Sequence, residues 1–241
     1  MILIVTAAML VTLQSETVAS PDSVYLAAVE NEPLIDQISP VVEEAYRRIG
    51  ILAVSRKLPG ERALAMLNSG ELFGDVAHVE GLEKYYSNMI RVPVPLINFD
   101  AVVFSVRKNL SILVWSDLAP YNVCIRRGIK AIELATAGMK NIYMANGYEQ
   151  IFAMLKVGRC DVAVLPRQAW LDVQRLNVKG LRSLEPPLQT WPMYHYIHKS
   201  HVYIIPMLTH ELRTMQTNGL LRKNEDAFWN RVENVRRAST D

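Results

Sequence analysis

The sequence predicts an α/β chain of two lobes, each a mainly parallel sheet flanked by helices, joined by two hinge crossings. Three observations predict it. First, Ala65-Met66-Leu67-Asn68-Ser69-Gly70 followed by Asp75-Val76-Ala77 recurs as Ala153-Met154-Leu155-Lys156-Val157-Gly158 followed by Asp161-Val162-Ala163. A glutamate, Glu61 or Glu149, stands one helical turn ahead of each copy. Second, each half reads in the order β-α-β-α-β, which argues a parallel sheet with right-handed crossovers. Third, helical chain remains at the C-terminus after the second half has its full set of elements, and is expected to return to the first lobe. Two copies are too few for a solenoid, which needs at least three.

Residues 24–29 read as a strand closed by the polar break Glu30-Asn31-Glu32-Pro33. Residues 38–49 have helical spacing, with Val42, Ala45, Tyr46 and Ile49 on one face and Glu43, Glu44, Arg47 and Arg48 opposite. Gly50 stops that helix. Residues 51–54 form the next strand, Pro59-Gly60 punctuates, residues 61–67 form the first repeat helix, and residues 74–79 the strand after it. Residues 92–106 are apolar and interrupted by proline, ending in a strand over 101–106. Strands over 121–125, 141–145 and 161–165 then alternate with helices over 129–137 and 149–157. Beyond Pro186-Pro187, residues 194–197 are strand-like, and helices are expected over 208–215 and 227–235. The chain crossings are expected near residues 116–120 and 185–192. Lobe 1 is then residues 21–116 with 190–241, and lobe 2 residues 117–189.

Half of the residues are hydrophobic and 21% are charged, a globular balance that excludes a disordered or collagenous chain. A net charge of +2, with no basic run longer than two, gives no electrostatic stripe for nucleic acid. Residues 2–13 are apolar apart from two threonines, and Val18-Ala19-Ser20 offers small residues before Pro21. That pattern is a secretory signal peptide over residues 1–20, though no Lys or Arg precedes the apolar run. The other reading is a buried N-terminal strand or helix. The run is too short to span a bilayer, and the mature chain is expected to be soluble and exported.

Cys124 and Cys160 both belong to apolar runs. If their strands are neighbours they form a disulfide worth about 4 kcal/mol by loop entropy. Otherwise they are two buried thiols. No second Cys or close His accompanies either one, so no metal site is expected there.

The chain resembles the periplasmic solute-binding proteins of bacteria, in the extracellular family that includes the polar amino-acid binders of ABC transporters. The carriers are Glu61 to Glu71 with Gly74-Asp75, Tyr148 to Leu155 with Gly158-Arg159-Cys160-Asp161, and the closing stretch with Leu212, Met215 and Gly219. The resemblance implies a type II periplasmic-binding-protein-like fold, periplasmic localisation in a Gram-negative cell, no cofactor and no catalytic residue. It implies a monomer that closes on a small polar ligand, amino-acid-like or an organic acid. The implied partner is an inner-membrane ABC permease or a sensor. The sequence departs from the family at both ligand anchors. The arginine that usually follows the first Asp-led strand is absent from His78-Val79-Glu80-Gly81, and the acidic residue that usually ends the second is Pro166.

Ligands in open α/β sheets sit beyond the carboxyl ends of the strands. That rule selects Glu32, Pro59, Glu61, His78 and Glu80 in the first lobe, and Arg127, Gly128, Asn146, Tyr148, Pro166 and Arg167 in the second. Arg126-Arg127-Gly128 falls at a strand-to-helix turn, where free N–H groups favour an anion and Arg127 can clamp one; the bland reading is a solvated arginine pair. Tyr148 either meets a ligand or caps its helix. Glu32 and Glu80 either meet a ligand cation or remain surface carboxylates. His195, His198 and His201 do not converge on a metal if the stretch is a strand, because His198 points away from the other two. Asp75 and Asp161 are read as strand-start or backbone-capping residues.

Two rival functions follow. An orphan sensor or binding module would have lost its amino-acid anchors. An enzyme on the same fold would need His78 with Glu80 as an acid–base pair.

Overall fold

The computed structural model describes residues 23–240. The expected signal peptide lies outside these residues.

The first half runs β1 (Ser23–Val29), α1 (Pro33–Arg48), β2 (Leu52–Leu58), α2 (Gly60–Ser69) and β3 (Gly74–Val79). The second runs β5 (Val123–Arg126), α3 (Lys130–Ala135), β6 (Ile142–Ala145), α4 (Tyr148–Lys156) and β7 (Val162–Pro166). Between them lies the long strand β4 (Met89–Ser105); after them come α5 (Trp170–Arg175) and the equally long β8 (Arg182–His198). Two helices, α6 (Ile205–Thr217) and α7 (Leu220–Thr240), close the chain.

The strands hydrogen-bond in the order β2-β1-β3-β8-β4-β7-β5-β6. Within each half all pairings are parallel. The order is the same in both: the second strand, then the first, then the third. The repeat in the sequence is therefore a repeat of topology, with α2 matching α4 and β3 matching β7. The two glycine stops behave alike, Gly70 taking φ +85° and Gly158 φ +70°, left-handed values that suit glycine.

β4 and β8 pair antiparallel along most of their length and tie the halves together. One end of β8 pairs with β3, and from Ala101 onward β4 pairs with β7. β4 thus passes from the side of β3 to the side of β7 near Asn98 to Ala101, and a short 3-10 turn (Trp115–Leu118) occupies the stretch around residues 116–120. β8 makes the corresponding passage around Gln189 to Pro192. Pro93 and Pro95 disguise the continuity of β4. The register shifts between Arg91 and Pro95, and again before Ile97, so the prolines sit where the ladder is already interrupted.

Three other elements differ from expectation. α1 begins at Pro33 rather than at residue 38, because proline suits the first helical turn and Glu32 serves as the cap residue. α5 follows β7 with fully buried Trp170, too short a segment to carry a periodic signal. α7 begins at Leu220 rather than at residue 227 and touches both α1 and α5, while α6 packs on α1 and β4.

The main core is continuous, from Leu26, Ile38 and Tyr46 through Phe104 to Val164 and Trp170. Cys124 and Cys160 form a disulfide, with Cα atoms 5.8 Å apart. It joins β5 to the approach to β7, its partner in the sheet. Among the described residues no helix is long and apolar enough to cross a membrane.

Candidate functional site

The carboxyl ends of the parallel strands of both halves face one cavity of about 300 Å³. The β1–α1 turn gives Asn31 and Glu32; the β2–α2 turn gives Pro59, Gly60 and Glu61. His78 comes from β3. The opposite wall comes from Arg126 to Ala131 after β5, Asn146 after β6 and Gln168 after β7. Phe99 and Met193, on the crossing strands, form part of the lining. Much of the rest is apolar, with Val29, Leu34, Ile35, Ala77, Val79 and Ile129.

Glu32 is 6% exposed and pairs with Arg126, which is 9% exposed. Arg126 also lies over the ring of Tyr148, 4.8 Å from its centroid. The Tyr148 hydroxyl donates to Glu32 Oε1 at 3.3 Å, and Gln168 Nε2 donates to Glu32 Oε2 at 3.4 Å. Burial raises the Tyr148 pKa to about 12 against the pull of Arg126, so the phenol stays protonated as a donor. One carboxylate of the first half is thus held by three side chains of the second.

Nearer the rim, Lys130 Nζ donates to Glu61 Oε1 at 3.0 Å. That hydrogen bond raises the lysine pKa. Gly60 meets Gly128 so closely that a Cβ on Gly60 would stand 2.8 Å from the Gly128 carbonyl oxygen. The halves therefore touch through backbone as well as charge.

His78 Nδ1 bonds Asp75 Oδ2 behind the cavity wall, while Asp75 Oδ1 is buried without a partner. Below them, His195 Nδ1–H donates to the Asp75 carbonyl at 2.7 Å, and the Tyr46 hydroxyl meets Nε2 at 2.8 Å. This tautomer lets Nε2 accept from Tyr46. Burial lowers the His195 pKa to about 4 and keeps the ring neutral.

Of the residues selected from the sequence, Glu32, Pro59, Glu61, His78, Arg127, Gly128 and Asn146 line the cavity. Tyr148 does not; it stands behind Glu32 and Arg126. Glu80 also lies off the cavity, paired with Arg91 at 3.3 Å, so the His78–Glu80 pair that an enzyme reading required is not formed. Arg167 turns to the crossings instead, donating to Asp100 Oδ2 at 2.8 Å and to both Glu185 oxygens at 2.7 and 2.9 Å. Pro166 is the buried last residue of β7. At the Arg127–Gly128 turn the Gly128 N–H donates to Glu133 Oε1 at 2.8 Å. Arg127 binds Asn146 Oδ1 at 3.2 Å.

The three histidines have separate partners, His195 with Tyr46, His198 with Ser200 and His201 stacked on Phe73. Asp161 accepts from the Asn122 N–H at 2.8 Å and from Arg107, holding the entry to β5. Sequence reasoning named Arg126 but selected Arg127 beside it, and did not select Lys130 or Gln168, which also line the cavity. Arg126 ends a strand buried along its whole length, so alternation gives no sign of which arginine turns inward.

No protein-family model matches the sequence. A protein of Shewanella oneidensis described as uncharacterized is 23% identical over 230 residues, covering 87% of this chain and 86% of its own. Three solved structures superpose well. A histidine kinase sensor domain with similarity to periplasmic binding proteins matches at TM-score 0.71 and 16% identity, over 84% of this chain and 93% of that one. The substrate-binding protein of an amino acid ABC transporter matches at 0.66 and 12%, over 86% and 99%. An ancestral arginine-binding protein bound to arginine matches at 0.66 and 15%, over 86% and 98%. The chain has the two-lobed periplasmic-binding-protein fold that the sequence predicts.

Proposed function

We propose that this chain is a solute-binding protein that captures a small polar ligand between its two lobes. The observation that carries the reading is the cavity itself. It collects the carboxyl-end turns of both halves, and side chains of one half bind side chains of the other across it. A ligand touching both walls favours the closed arrangement, and closure is the signal a partner reads. On this reading lobe 1 comprises residues 23–99 with 191–240 and lobe 2 residues 100–190, the crossings in β4 and β8 acting as the hinge. The solved amino-acid binders of the same fold support a small polar ligand. An inner-membrane ABC permease is the partner proposed, and no bond is made or broken in the bound solute. The disulfide favours an oxidising compartment, which agrees with export to the periplasm.

A second reading is a sensor module in the same place. The histidine kinase sensor domain of this fold supports it, as do the stretch from His78 without the usual arginine and Pro166 in place of the usual acidic residue.

A thermal-shift screen of amino acids, polyamines, organic acids and short peptides tests the binding role. A native-state ligand stabilises by mass action, about 2.7 kcal/mol at a hundredfold excess over Kd. At least one compound is expected to raise Tm by several degrees in a concentration-dependent way. A flat response across the panel counts against a binding role.

A further inference from the structure

We propose, building on the reading of the cavity as a ligand site, that its ligand is dipolar: Glu30 of the first half holds its cationic group and Arg127 of the second half holds its anionic group.

The two residues occupy the same place in the repeat. Glu30 stands one residue past β1 and Arg127 one residue past β5, and these are the first strands of the two halves. Both residues line the cavity, one on each wall. Equivalent turns of the two halves therefore carry opposite charges. The resemblance to amino-acid binders places its anchors at the third strand of each half instead, where this chain has neither the arginine nor the acidic residue.

The second observation is which charges the chain already neutralises. Glu32 pairs with Arg126, Glu61 with Lys130 and His78 with Asp75. Among the described residues, Glu30 and Arg127 line the same cavity without an ion-pair partner. Arg127 Nε donates to Asn146 Oδ1 at 3.2 Å, which steadies the guanidinium against the wall and leaves its two terminal nitrogens to a ligand. Closure withdraws both groups from water, and a charge so withdrawn needs a counter-charge. A simple anion would match Arg127 and leave Glu30 unmatched; a simple cation would do the reverse, and an uncharged molecule would leave both. A dipolar molecule matches both walls through charge-assisted hydrogen bonds and breaks no existing pair. Its two ends touch different halves, so both contacts form together only in the closed arrangement.

Titration calorimetry with the full chain tests this. The probes are δ-aminovalerate, leucine, valerate and pentylamine, together with any compound that raised Tm in the screen; weak probes are titrated by displacement of the tightest one. The tightest ligand is expected to carry both a cationic and an anionic group. Losing one charge-assisted contact is expected to weaken binding about tenfold. Glu30→Gln should do so for the dipolar ligand and for pentylamine and leave valerate unchanged. Arg127→Gln should do so for the dipolar ligand and for valerate and leave pentylamine unchanged. Glu30 is half-buried and Arg127 exposed, so neither substitution disturbs the core. A ligand of one charge sign, or an uncharged one, binding tightest overturns the inference and leaves the solute-binding role standing. So does a dipolar ligand whose affinity neither substitution changes, or whose two ends respond to the opposite substitutions. Absence of binding by every compound overturns both.

Discussion

Glu32, at the entry to α1, and Arg126, the last residue of β5, form an ion pair across the cavity, each less than a tenth exposed. They come from opposite halves of the chain. Taking two charges out of water costs several kcal/mol per ion, so the pair is no net stabiliser by itself. Removing one partner is another matter, because the survivor stays buried and unpaired. Arg126→Met is expected to lower unfolding free energy by about 3 kcal/mol, and the double variant Glu32→Gln, Arg126→Met to recover most of that loss. Urea denaturation of the two single variants and the double reads the coupling directly.

The rim pair behaves differently. Lys130 and Glu61 are 24% and 54% exposed at their side chains, and solvent screens them. Lys130→Met is expected to change stability by less than about 1 kcal/mol, by the same denaturation assay. A larger loss would mean that the pair is held much more rigidly than its exposure implies.

Much of this was legible in the sequence. The repeated Ala-Met-Leu helix, glycine stop and Asp-led strand located two equivalent halves, and the strand-end rule placed Glu32, Glu61, His78, Arg127, Gly128 and Asn146 at the cavity. What was hidden has physical causes. The full length of β4 was obscured because Pro93 and Pro95 read as a break, whereas a strand with shifted register tolerates them. Arg126 was passed over for Arg127 because β5 is buried on every residue, so no periodicity separates the two. Arg167 and Glu80 lie off the cavity because their partners, Asp100, Glu185 and Arg91, are set by tertiary pairing that no local pattern encodes.

Arg167 ties the two crossing strands, reaching Asp100 on β4 and Glu185 on β8. Arg167→Met is expected to cost roughly 1.5 to 3 kcal/mol, the range for hydrogen bonds to charged groups. Amide hydrogen exchange should quicken in β4 and β8 around Asn98 to Ala101 and Gln189 to Pro192, with the outer strands of each half little changed.

Stability should fall with acid through His195. Its pKa is about 4 in the folded protein, lowered by burial, and about 6.5 in an unfolded chain. The unfolded chain therefore takes up the proton first. The contribution is whole above about pH 6.5 and is lost as pH falls from there toward 4, roughly 3 kcal/mol in total. Denaturation midpoints between pH 7 and pH 4 measure it, and His195→Gln should flatten the slope in that window.

The disulfide closes a loop of 36 residues by sequence separation. Replacing both cysteines by serine is expected to reduce stability by about 4 kcal/mol on the loop-entropy model. Guanidinium titration of the variant, beside the parent with and without reductant, gives the value.

Closure of the two lobes on a bound solute is the central claim. Spin labels at Ser69 on α2 and Lys156 on α4, both exposed, report the separation of matching elements in the two halves. With a compound from the screen at saturation, the inter-label distance distribution is expected to shorten by several ångströms and narrow. A distribution unmoved by a ligand whose binding calorimetry has established would contradict the account.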